Sequence, residues 1–326
     1  MISMKLPCFL YLVVVVVMAS RQAASTSLTT YWNSHLQGVF MPRSIKDYLP
    51  SKEGESTSSS SSSHQFVKNN LNISEDVNII RCHASKRPPK TTKMDSITSL
   101  HFLESDLSNN NNRVLLYPRF PNLHSNNGHF LPRTIIEQFP TLKSTNLPSI
   151  LSRFSITPNS PATGVIKHTV ELCEYAANDD NVCVTSLESM VDFVQSTKHG
   201  VIRAYSTTIQ DKYFKGNNGN LQPFRIVKVK RLSNSRVVNS TVSCHKAQFP
   251  FAVFLCHQRV ATVAYMVTLE GVRDKMTRIE AATACHMDTS EWDPLFPALV
   301  ALKVAPGTPV CHFLNQKSVL WVVGEN

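Results

Sequence analysis

Beyond its N-terminus the chain has no apolar stretch approaching the roughly 20 residues needed to span a bilayer, so no membrane contact is expected once a leader is removed. Catalytic signatures are equally scarce. No G-x-S-x-G or H-E-x-x-H motif occurs, which removes the common serine-hydrolase and zinc-peptidase readings. No internal repeat of about 20–50 residues is present, and with it go the solenoid and propeller architectures. Acidic residues are in deficit, 23 against 33 basic ones, for a formal charge of +10 and a pI near 9.2.

What is present begins with an export signal. Lys5 supplies a positive start, Pro7 to Met18 is an apolar run containing Val13 to Val17, and small residues Ala19, Ser20, Ala23, Ala24 and Ser25 follow. That order is the one signal peptidase reads, and it assigns residues 1–25 to a signal peptide; an uncleaved anchor is the competing reading. The expected destination is extracellular. For a secreted basic protein nucleic acid is not an expected partner. Charge attraction favours an acidic polysaccharide such as de-esterified pectin, although scattered basic residues also serve solubility alone.

Export makes the cysteines disulfide candidates first and metal ligands second. Of eight, Cys8 leaves with the signal, and Cys82, Cys173, Cys183, Cys244, Cys256, Cys285 and Cys311 remain. The odd count leaves at least one unpaired within the chain, and Cys82 is the outlier. Two glycosylation sequons, at Asn72 and Asn239, fit the same compartment.

Residues 26–50 form a short N-terminal segment with Tyr31-Trp32 and Tyr48-Leu49-Pro50. Residues 51–100 read as a variable linker, with six consecutive serines from Ser58 and the basic run Lys86-Arg87-Pro88-Pro89-Lys90; such a composition buries too little apolar surface to offset chain entropy. The folded domain is placed at 101–326. Its first part is partly helical. Asn146 to Phe154 has Pro148 in the first turn; Val165, Ile166, Val170 and Cys173 share a helical face; and Thr185 with Glu188 has capping-box spacing before the stripe Leu187, Met190, Val191 and Val194, with Gly200 as the stop. Cys173 and Cys183 flank a polar loop that a disulfide between them would close. Asp179-Asp180 in that loop reads as a solvated pair. From Val201 the pattern turns to strands, expected at Val201–Ile209, Phe224–Val229, Phe251–Cys256, Ala261–Leu269, Leu299–Val304 and Val319–Val323. The fold class is α+β, a helical first part followed by a mostly antiparallel β region.

Four dipeptides organise the last third: Cys244-His245, Cys256-His257, Cys285-His286 and Cys311-His312, with 10, 27 and 24 residues between them and eight more before Trp321. Random placement of 8 Cys and 12 His among 326 positions gives about 0.3 such pairs, whereas five exist, counting Cys82-His83. Successive strand side chains point to opposite faces. If each pair lies on a strand, thiols face one way and imidazoles the other, so one face can carry two disulfides and the other a histidine cluster. His245, His257, His286 and His312 are then candidate metal ligands. Imidazole without free thiolate favours Cu(II) or Zn(II), and the affinity order favours copper; purely structural histidines are the other reading.

The spacing of these pairs and the terminal Trp321 resembles the BURP domain of plant proteins, over roughly Phe102 to Trp321. Further likenesses are Phe102-Leu103-Glu104 through Asp106-Leu107 (with Leu103 where a second Phe is usual), Phe130-Leu131-Pro132-Arg133, the upstream Cys173 and Cys183 with Ser186-Leu187-Glu188-Ser189-Met190, Cys285-His286-Met287-Asp288-Thr289, and Pro309-Val310-Cys311-His312-Phe313. Lacking the tandem repeats of dehydration-responsive members and the aromatic-glycine repeats of the polygalacturonase β-subunit type, the chain looks most like the short seed and embryo-type members. The resemblance implies a secreted, non-catalytic role in development, seed maturation or stress response, associated with wall or vacuole. It also implies an alternative, a copper-dependent peptide cyclase in which the four histidines hold copper and an aromatic side chain of the N-terminal segment, Tyr31 or Trp32, is crosslinked. Whether the protein is an enzyme stays open between these two.

Overall fold

The computed structural model describes residues 27–50 and 100–324, apart from the short segments 109–114, 119, 121–127, 177–180, 198–199, 211–212, 214–221, 234–239 and 274. The proposed signal peptide, linker residues 51–99, Cys82, the sequon asparagines Asn72 and Asn239, and Asp179-Asp180 lie outside the described residues. Among the described residues no helix is long and apolar enough to cross a membrane.

Helices come first and strands later. Helices α1 (Leu28–His35) and α2 (Arg43–Lys46) precede the linker; β1 (His101–Leu103), α3 (Ser105–Ser108), β2 (Leu115–Leu116), α4 (Arg133–Ile136), α5 (Leu147–Arg153), α6 (Pro161–Tyr175), β3 (Asn181–Val184) and α7 (Leu187–Thr197) follow it. The β region comprises β4 (Val201–Tyr205), β5 (Thr208–Ile209), β6 (Phe224–Arg231), β7 (Thr241–Ala247), β8 (Val253–His257), β9 (Thr262–Gly271), β10 (Arg278–His286), β11 (Val310–Phe313) and β12 (Val319–Gly324), interrupted by α8 (Pro297–Leu302). This is the α+β class, and every strand pairing is antiparallel.

Local chemistry explains the helices. In α6 the Ser160 hydroxyl accepts from Thr163 N at 3.3 Å, Pro161 starts the first turn, and Val165, Ile166, Val170 and Cys173 are all buried. The cap of α7 sits one residue later than the expected Thr185–Glu188 box. Ser186 Oγ accepts from Ser189 N at 3.1 Å, and Ser189 Oγ accepts in return from Ser186 N. Glu188 is drawn away because its carboxylate accepts from Arg133 N instead.

Two strand expectations fail for identifiable reasons. Leu299–Val304 lies largely in helix α8: a short apolar run carries no period that separates strand from helix, while Pro297 starts a helical turn and Lys303 ends it in the left-handed region at φ 56°. Val201–Ile209 is two strands in different sheets. Thr207 makes the break, its hydroxyl donating to Leu314 O and accepting from Ala282 N at 3.1 Å.

The strands form two sheets. One runs β1-β11-β10-β9-β6-β2, with β5 also on β10; the other runs β3-β8-β7-β12-β4. Their facing sides meet through small and aliphatic residues, Ala264, Ala282, Ala284 and Leu314 against Leu320 and Val322. The period of two then sends Val319 and Trp321 of β12 to the outer face, where they pack with α7 and with residues from the N-terminal segment. Trp32 is fully buried there, its ring 5.4 Å from Trp321, and Tyr48 meets Phe130 and Phe254 edge-on. Residues 27–50 thus contribute to the same core as the domain that follows the linker. On the other outer face, Phe102, Phe313, Leu269 and Ile279 pack with Phe296 and Leu299 around α8.

Candidate functional site

Each Cys-His dipeptide lies on a strand: β7, β8, β10 and β11 carry one apiece. Cys244 and Cys256 are register partners across β7 and β8 and form a disulfide; Cys285 and Cys311 do the same across β10 and β11. The first bridge is buried among Trp32, Phe254 and Trp321, the second among Phe102, Phe296 and Phe313. Cys173–Cys183 ties α6 to β3.

One residue on, each side chain points to the opposite face. His245 and His257 leave one sheet and His286 and His312 leave the other, so the four rings meet between the sheets. Ring centres are 5.2 Å apart for His245–His257, 6.2 Å for His245–His312 and 5.4 Å for His286–His312. A fifth ring, His101, joins them. It is the register partner of His312, with centres 5.5 Å apart, and all five histidines are at most 6% exposed. Trp292 covers His286 at 5.3 Å.

Sequence reading passed over His101 because no cysteine precedes it. Its signal is alternation: Phe102 faces the Cys285–Cys311 side, packing on Phe313 at 4.5 Å, so the residue before it must face the imidazoles. The hydroxyls that touch the cluster, Ser318 and Thr262, depend on strand register and have no local signature.

Burial holds the imidazoles of the four Cys-His pairs neutral. It lowers His245 to about 4 and His286 to about 3. His257 and His312 are also held well below the usual histidine range, first by burial and then by neighbouring imidazoles, with the Arg259 cation adding to the effect on His257 and His286. One tautomer follows from hydrogen-bond roles. Ser318 donates its hydroxyl proton to Asn315 Oδ1 at 2.9 Å, an oxygen that also accepts from Lys317 N. Ser318 Oγ is therefore an acceptor toward His245 Nδ1 at 3.3 Å. His245 carries its proton on Nδ1 and turns the Nε2 lone pair toward His257 Nε2, 3.1 Å away. His286 Nδ1 lies 3.3 Å from Thr262 Oγ1.

These features suit a metal in pairs. Nitrogens each about 2.0–2.1 Å from one ion stand about 2.9–3.4 Å apart at angles of about 90–110°, and the ring centres then fall about 4.5–5.2 Å apart, widening to about 5.5 Å at 120°. The His245–His257 nitrogens and ring centres lie in those ranges; the separations of His312 from His286 and His101 match an angle near 120°, and the 6.2 Å of His245–His312 lies beyond it. Neutral imidazole is the required ligand form, and a hydroxyl on the remote nitrogen is a usual support for it. Among the described residues no three or more His, Cys, Asp or Glu side chains already converge as a complete metal site, so a third ligand requires a ring to turn.

Comparison with known families matches residues 100–323 to the BURP domain. The chain belongs to the BURP domain family. BURP domain-containing protein 3 of Oryza sativa subsp. japonica is 42% identical over 59% of this chain and 44% of its own length. BURP domain-containing protein 6 from the same organism is 35% identical over 71% of this chain and 92% of its own length. Polygalacturonase-1 non-catalytic subunit beta of Solanum lycopersicum is 30% identical over 60% of this chain and 30% of its own. The BURP chain thus spans less than half of the first relative and nearly all of the second, a short member.

Proposed function

We propose that this BURP protein is secreted and non-catalytic, acts in plant development, seed maturation or stress response at the wall or in the vacuole, and holds copper within its fold through the buried histidines. The placement of the aromatic pair Tyr31-Trp32 carries this reading. A cyclase must bring such a ring to its metal. Trp32 is instead locked against Trp321 in the cluster that contains the Cys244–Cys256 bridge, its indole N–H bonded to Val39 O at 3.0 Å. His245 and His257 leave the same two strands on the other face. Tyr31 stacks on His35 and donates to Asp192. The sheet stands between both rings and the imidazoles, which are themselves enclosed. Bound copper would supply a cation linking the two sheets through neutral nitrogens.

Three disulfides suit an oxidising compartment. An acidic polysaccharide such as pectin suits the exposed Lys228, Lys230 and Arg231 of β6, none of which forms an ion pair among the described residues. The tomato relative, named as a non-catalytic polygalacturonase subunit, points the same way.

The test is the intact mass and peptide map of the full secreted chain after incubation with Cu(II). Retained copper with an unchanged mass is the expected result. Loss of two hydrogens in a peptide containing Tyr31 or Trp32 would overturn the non-catalytic reading in favour of the cyclase.

A further inference from the structure

The four Cys-His pairs account for four of the five imidazoles between the sheets, and the fifth stands outside that pattern. His101 belongs to β1, a three-residue strand at the edge of its sheet. Antiparallel pairing sets it opposite His312, and the next pair along, Phe102 opposite Cys311, belongs to the apolar face. Alternation therefore demands only that residue 101 fill an inward, buried position. An apolar side chain would do so without burying polar atoms, so what singles out a histidine there is its place beside the other rings. The histidine sits 5.5 Å from the His312 ring, and His312 in turn touches His286 and His245. His312 is thus a hub with rings on three sides, and His101 occupies the side that no Cys-His pair reaches.

We propose that His101 is a further metal ligand of the cluster, so that β1, β10 and β11 present three imidazoles (His101, His286 and His312) opposite the two of β7 and β8 (His245 and His257). This inference rests on the proposed copper-holding role of the same cluster and adds a residue to it. Its 5.5 Å ring separation from His312 is the one that two imidazoles on a first-row ion show at an angle of about 120°. The ligand class is a borderline divalent ion that accepts several neutral nitrogens, Cu(II) before Zn(II) by affinity order.

Cu(II) binding by the full secreted chain tests this, with affinity from chelator competition and the ligand field from electron paramagnetic resonance. His101→Leu keeps the volume close to that of histidine; His101→Asn, which keeps a polar group but ligates poorly, serves if the first variant fails to fold. Unchanged far-ultraviolet circular dichroism and intact disulfides establish folding. The expected result is a loss of affinity of tenfold or more together with an altered copper spectrum. If a folded variant binds Cu(II) with wild-type affinity and an unchanged spectrum, His101 is not a ligand, and the proposed role of the other four stands. If the wild-type chain itself fails to hold Cu(II), the copper reading fails and His101 falls with it.

Discussion

The Nε2 atoms of His245 and His257 lie 3.1 Å apart on one face of β7 and β8, while the sulfurs of Cys244 and Cys256, one residue earlier on each strand, are bonded on the other. The bridge fixes the register of the two strands, and the register fixes the imidazoles. A slip of one residue would send the histidines to the opposite face. The same device recurs at Cys285–Cys311, so each sheet delivers its pair of rings to the interface already aligned.

Removing either bridge by a double Cys→Ala change should lower stability by about 3 kcal/mol, the usual loop-closure contribution. The two should not be equal. Cys285–Cys311 spans 26 residues and Cys244–Cys256 spans 12, roughly one doubling, which makes the former worth about 0.6 kcal/mol more. Urea unfolding of both variants measures the difference; a larger loss at Cys244–Cys256 would show that strand packing, not loop entropy, dominates.

Metal-free protein should weaken in acid. An unfolded histidine titrates near 6.5, whereas burial lowers folded His245 to about 4 and His286 to about 3. Between those limits the unfolded state binds more protons, so stability rises with pH and is lost as pH falls from about 6.5 toward 3–4. Each such histidine contributes a slope of up to about 1.4 kcal/mol per pH unit. Above 6.5 both states are neutral at these sites and their effect vanishes. Denaturant midpoints from pH 7 to 4 check the sign, and a flat profile through this window would contradict neutral burial.

Trp32→Ala should cost about 3–5 kcal/mol, the range for emptying a large aromatic site in a core. Removing residues 27–50 altogether should expose the outer face bearing Trp321 and prevent stable folding of the remaining domain. Thermal unfolding and limited proteolysis of both forms are the measurements. A truncated chain as stable as the full one would show that the N-terminal segment only decorates the fold.

Legibility differed by range. The α6 face and the antiparallel strands near Phe224 and Val319 could be read because their patterns are local. Alternation made the separation of thiols from imidazoles readable as a condition on each pair lying in a strand, without saying which strands neighbour which. The cap of α7 moved from Thr185 to Ser186 because Glu188 found a partner 55 residues away in Arg133. Leu299–Val304 was ambiguous in six residues and was decided by Pro297. Trp32 against Trp321, and His101 against His312, join residues separated by most of the domain, and no spacing rule reaches that far.

The hydroxyl behind His245 offers the sharpest test of how the site is prepared. Asn315 Oδ1 accepts a hydrogen bond from the Ser318 hydroxyl, Ser318 Oγ accepts from His245 Nδ1–H, and the Nε2 lone pair faces His257. Ser318→Ala removes the acceptor while leaving every proposed ligand in place, so the ring is free to adopt the other tautomer or to turn. Loss of such a supporting contact typically lowers metal affinity 10–100-fold, and about tenfold is expected at this 3.3 Å contact. Thr262→Ala should act similarly on His286. Because the two hydroxyls support rings from different sheets, their effects should multiply only if both rings serve one ion; if each sheet holds its own, chelator competition should resolve two sites and each substitution should weaken just one.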